Sequence, residues 1–114
     1  MNLTGFRDVL NTLSVPVFHF EAAKEPDQHA VWMETDAEFS QYADNRNVCQ
    51  IISGFVEYNT KTEYDPVFDE IQALLNDNGD ITWELDGIGF DAETKVITYS
   101  WTWRIKAQVG GAYG

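Results

Sequence analysis

The stretch VITYSWTWRI, residues 96–105, decides the fold. Ile97, Tyr99, Trp101, Trp103 and Ile105 fall on one side, and Val96, Thr98, Ser100, Thr102 and Arg104 on the other. A period of two with large apolar groups on one side predicts a strand with one face in a core and one comparatively wet. Moving back along the chain, DAET (91–94) reads as a turn. Before it, Ile81, Trp83 and Leu85 alternate with Thr82 and Glu84, a half-buried strand that extends past Gly87 and Gly89 to Phe90. Asp65 and Pro66 are a helix start: a side-chain oxygen to accept an orphan N–H, then a proline preset for the first helical position. Asp69 and Glu70 suit the positive end of the helix dipole, and Val67, Ile71, Leu74 and Leu75 form the apolar face, which Phe68 broadens. Gly79 is placed to close the helix in a left-handed cap.

Further out, VCQIISGFVEY (48–58) is apolar on both faces in its middle and predicts a central strand, with Gly54 marking a bulge or a close backbone approach. DAEFSQYADNRN (36–47) has no clean period, and Phe39 and Tyr42 are its only large apolar groups, so it reads as a long loop. HAVWMET (29–35) has strand character and EAAKEPDQ (21–28) that of a connection. Val15 to Phe20 reads as a strand with Pro16 near its start, an edge position, pairing antiparallel with 29–35. Leu3, Phe6, Val9, Leu10 and Leu13 recur at helical spacing and predict an opening amphipathic helix that Pro16 prevents from continuing. The expected fold class is α+β: an antiparallel or mixed β-sheet of about five strands packed against two helices, in the order α-β-β-β-α-β-β. A single domain is expected over 1–106, with 107–114 (AQVGGAYG), uncharged and glycine-rich, as a flexible tail.

A chain of 114 residues suits one hydrophobic core and is too short for two. Seven Lys and Arg against nineteen Asp and Glu give a net charge of −12, which argues against holding a phosphate backbone and in favour of solubility. One cysteine excludes an intramolecular disulfide, no apolar run is long enough to span a bilayer, and MNLTGFRDVL lacks a cationic leader followed by a long apolar stretch. No membrane association and no secretory signal are expected. Asn2-Leu3-Thr4 spells a glycosylation sequon without the signal peptide that would give it meaning.

Residues able to do chemistry are sparse. His19 and His29 are the conventional bases, both in or beside expected strands, and Cys49 sits among Val48, Ile51 and Ile52, the setting of an inert structural thiol. These three lack the paired spacings of a zinc site. Asp77-Asn78-Gly79-Asp80 has the composition of a calcium loop, but aligning its glycine places Leu74 and Leu85 where carboxylates are required. No glycine-rich phosphate loop is present, since Phe90 and an acidic turn follow Gly87 and Gly89. No catalytic, cofactor or metal site is therefore expected, and the aromatic stripe of Tyr99, Trp101 and Trp103 reads as core under a helix. Two other readings stay open on the residues: a small-molecule or protein-binding α+β module using the aromatic sheet face, and a hydrolase built on a carboxylate pair whose pKa values are split by an apolar cleft.

Tyr42-Ala43-Asp44-Asn45, Gln50, Ser53-Gly54, Tyr58 and Thr60-Lys61-Thr62-Glu63-Tyr64-Asp65-Pro66, with Tyr99-Ser100-Trp101-Thr102-Trp103, carry a resemblance. Over roughly Val15 to Ile105 the chain resembles minor tail proteins of prophages of Gram-positive bacteria, and its order of elements is similar to that of tail terminator, or tail-completion, proteins of long-tailed bacteriophages. The resemblance implies a structural virion protein and not an enzyme: a subunit of a homo-oligomeric ring, most simply a hexamer, that caps the tail tube at the head-tail junction. Its implied partners are the tail tube and head-tail connector proteins, and its implied location is the host cytoplasm before assembly and the virion tail afterwards. A lumen lined with carboxylates would let DNA pass without trapping it. On this reading Tyr42, Asp44, Asn45, Arg46, Lys61 and Glu63 are the candidates for contacts between subunits or with the tube.

Overall fold

The computed structural model describes residues 1–43 and 46–113. Its elements are α1 (Leu3–Leu10), β1 (Val17–His19), β2 (His29–Ala43), β3 (Arg46–Thr60), α2 (Val67–Asp77), β4 (Ile81–Asp91) and β5 (Val96–Gln108). The strands form one sheet in the order β1-β2-β3-β5-β4, parallel between β1 and β2 and antiparallel elsewhere. This is the α+β fold with a mixed sheet expected from the sequence, and the central place of β3 and the edge place of β1 are as expected.

Both helices lie on one face. Phe6 of α1 stacks on Trp103 at 4.2 Å between centroids and meets Trp32 edge-on at 5.4 Å. Phe68 of α2 packs on Tyr99 and Trp101. The alternation along β5 is what puts these rings together: Trp101, Trp103, Ile105 and Ala107 are buried, while Arg104, Lys106 and Gln108 are exposed. Even-numbered residues of β3 from Ile52 to Thr60 share that covered face, and odd-numbered ones share the other with Thr98, Ser100 and Thr102, where neither described helix packs. Aromatic contacts add about 1 kcal/mol each to the area they bury.

Two of the core indoles differ in how their N–H is met. Trp101 Nε1 donates to Gln72 Oε1 at 3.2 Å, whereas Trp103 Nε1 is buried with no acceptor among the described residues. Trp101→Phe strands the Gln72 amide oxygen; Trp103→Phe removes an unmet donor. The Trp103 variant is therefore expected to be the more stable of the two by about 1 kcal/mol, read from urea midpoints at equal m.

Several expectations are corrected. Residues 36–47 are not a long loop: Asp36 to Ala43 continue β2, and Arg46 and Asn47 begin β3, with the register running from His29↔Asn59 to Ala43↔Arg46. Register shifts between Glu34 and Asp36, Phe39 and Gln41, and Gln41 and Tyr42 break the period-two signal that would have revealed the strand. β1 and β2 pair parallel, not antiparallel; β1 is only three residues long, so the 20–28 connection can bring the chain back to its starting end. Gly79 is not left-handed, and α2 ends instead with Asn78 in extended backbone, its Nδ2 donating to Leu74 O at 2.9 Å. Cys49 is half-buried, not enclosed.

The end of the chain is also part of the fold, against the expected boundary at 106. β5 continues to Gln108, Val109 N donates to Val48 O at 3.0 Å, and Leu3 N donates to Ala112 O at 2.6 Å. The molecule measures 55 × 24 × 22 Å, with a radius of gyration of 15.4 Å, against about 13 Å for a compact chain of this length. The long β2–β3 pair sets that elongation. Among the described residues no helix is long and apolar enough to cross a membrane.

Candidate functional site

Asp65 organises the end of the sheet where the 60–66 connection enters α2. It is only 4% exposed. Its Oδ2 accepts from Tyr58 Oη at 2.6 Å, Thr60 Oγ1 at 2.6 Å and Gln28 Nε2 at 2.9 Å, and its Oδ1 accepts from Val67 N at 2.9 Å. The last of these is the helix cap expected from the sequence, although Pro66 itself stands at the formal cap position. Burial alone would raise the Asp65 pKa; hydrogen bonds from Thr60, Tyr58, the Val67 N–H and Gln28 outweigh it and hold the carboxyl below its ordinary value. Burial, followed by the hydrogen bond to Asp65, pushes the Tyr58 phenol well above its ordinary value. Asp65 thus ties together β3, α2 and the 21–28 connection.

Beside this knot lies a groove of ≈ 860 Å³ on the helix-covered face, walled by Phe68, Ile88, Phe90, Ile97 and Tyr99, with Lys61, Glu63 and Lys95 also lining it. It exists because α2 is short. Eleven residues of helix span about 16 Å, and the eleven residues of β4 about 36 Å, so the far half of the strand has no roof. Ile88 is 61% exposed and Phe90 63% in consequence. Sequence reasoning counted Phe90 only as a strand end and missed Ile88; nothing in the alternation of a strand tells where its covering helix stops.

A second cavity of ≈ 570 Å³ opens beneath the 21–28 connection, with Glu21, Glu25, Asp27, Glu57 and His29 in its wall. Both histidines are engaged. His29 Nδ1 lies 2.7 Å from Pro26 O. His19 Nε2 lies 2.6 Å from Glu34 Oε1, its ring stacked on Trp32 at 3.9 Å, and Tyr113 Oη donates to Glu34 Oε2 at 3.2 Å. For Glu34, burial raises the pKa, but backbone, His19 and Tyr113 interactions outweigh it and lower the value. Among the described residues no three His, Cys, Asp or Glu are gathered as a metal would require.

The contact candidates expected from the sequence that lie among the described residues are not brought together. Tyr42 lies on β2 and Arg46 on β3 at the hairpin end, where Arg46 is exposed; Asp44 and Asn45 lie outside the described residues. Lys61 and Glu63 sit past the opposite end of β3, where Lys61 Nζ is 3.3 Å from Asp27 Oδ1 and Glu63 lines the groove. A scan against protein-family models found no match for this chain, and a search of curated proteins found none either.

Proposed function

We propose that this chain is a structural virion subunit of a tailed phage, a tail terminator-like ring component that caps the tail tube at the head-tail junction. The observation that supports the reading is the separation of the candidate contact residues along a 55 Å molecule, Arg46 at the hairpin end of β3 and Lys61 with Glu63 beyond the other end. Head-to-tail association into a closed ring uses two different surfaces on each subunit, and an elongated subunit with distinct ends supplies them. The net charge of −12 supports a lumen through which DNA slides.

The binding-module reading shifts its ground, because Trp32, Trp101 and Trp103 are buried and cannot wall a pocket on the sheet. Its cavity would be the groove beside β4. A hydrolase would need a carboxylate with a raised pKa, and the shifts of Glu34 and Asp65 run the other way.

Light scattering with negative-stain microscopy, across concentration and salt, tests the proposal. Closed rings with a central hole are expected, and Arg46→Glu and Lys61→Glu are each expected to shift the particles toward monomers. A strict monomer at high concentration that also fails to bind tail tubes would overturn it.

A further inference from the structure

The outer edge of β4 combines features that the isolated chain does not account for. β4 is the last strand of the sheet and, among the described residues, pairs with β5 alone, so one row of its backbone groups faces outward. Leu85, Ile88 and Phe90 lie opposite Trp101, Tyr99 and Ile97, on the helix-covered face, yet all three are exposed. A register shift between Leu85 and Gly87 keeps them on that one face. Long apolar edges invite pairing with another chain and are ordinarily blunted.

Gly87 and Gly89 sharpen the point. Neither has positive φ, and a Cβ built at either would meet nothing within 4 Å. The fold would admit a side chain at both places, and a strand gains by having one. Glycine within a strand often marks a place where another backbone approaches closely.

On the opposite face of the same strand stand Glu84, Asp86 and Asp91, all exposed; Glu84 has Arg104 at 3.7 Å, Asp86 accepts from Thr102 Oγ1, and Asp91 caps the following turn through Glu93 N at 2.9 Å. We infer that β4 docks an extended segment of another protein as a sixth strand over residues 85–91. Alternate apolar side chains of that segment enter the groove over Ile88 and Phe90, and basic side chains between them face Glu84, Asp86 and Asp91. A second copy of this chain fits poorly, because pairing β4 with itself sets these carboxylates against their own kind. The inference does not rest on ring formation, although Lys61 and Glu63, contact residues of the proposed ring, line the same groove.

A short capped peptide of alternating lysine and valine is the probe, and the same peptide with glutamate for lysine is the control. Amide hydrogen exchange of the full chain is followed as each is titrated to millimolar concentration. Slowed exchange confined to β4 with the lysine peptide alone is expected. Phe90→Lys should weaken binding about tenfold. Gly89→Val should also weaken binding while leaving the urea midpoint no lower than that of the parent chain. The inference is overturned by no slowing at β4, by protection spread over the acidic surface, or by equal response to the glutamate peptide. Slowing at β4 that grows with protein concentration and no peptide would equally overturn it, since a second copy would then be the occupant.

Discussion

Gly54→Ala is expected to cost about 3 kcal/mol and to loosen the β2–β3 pair. A Cβ at this position would stand 1.9 Å from Met33 O and 2.8 Å from Glu34 Cα. Both are backbone atoms of the neighbouring strand, so no side-chain rotation can relieve the clash. β2 itself must move, at the place where the register changes between Glu34 and Asp36 and Thr35 is the extra residue. Ile52 and Val56, which flank Gly54 on the covered face, carry the core contacts that such a movement disturbs. Chemical denaturation followed by tryptophan fluorescence checks the magnitude. Gly79→Ala is the control: it meets nothing within 4 Å and has no positive φ, so it should be neutral or stabilise by up to about 1 kcal/mol. A Gly54→Ala protein as stable as the parent would show that the close approach is not maintained in solution.

Asp65→Ala is expected to be as damaging, at about 3 kcal/mol or more. The substitution leaves the buried Tyr58 and Thr60 hydroxyls without their acceptor, and Gln28 Nε2 and Val67 N without theirs. Unmet buried donors account for most of that cost, so Asp65→Asn, which keeps an acceptor oxygen, should recover part of it. A pH dependence separates charge from shape. The folded-state pKa of Asp65 is depressed, so the stabilisation it contributes is complete above the unfolded value of about 3.9 and is lost as pH falls through the lower folded value. Acid titration of stability should therefore be steeper below about pH 4 in the parent than in Asp65→Asn. Equal slopes would mean that Asp65 acts only as a neutral acceptor.

Both positions were legible before the fold was known, and for the same reason. Gly54 interrupts an apolar strand, and Asp65 precedes a proline at a helix start; each is a local violation or signal whose explanation lies within a few residues. The extent of the Asp65 network was not legible. Gln28 is far from Asp65 in sequence and meets it only because β2 and β3 pair in the observed register. The groove beside β4 was missed because exposure of Ile88 and Phe90 depends on the length of α2 over the sheet, which no property of β4 encodes.

Strand pairing is the wider case of the same division. Alternation over Ile97 to Ile105 and helical spacing over Leu3 to Leu13 and Val67 to Leu75 determined which residues enter the core, because a local period decides which face a side chain takes. The sequence by itself therefore determined the order of elements, the one-sided sheet and the aromatic core. Only the tertiary structure decided that β1 runs parallel to β2, that residues 36–43 extend β2, and that the end of the chain returns to α1 through Ala112. Direction, bulges and long-range returns are set by contacts between distant segments, whose energies no single segment carries.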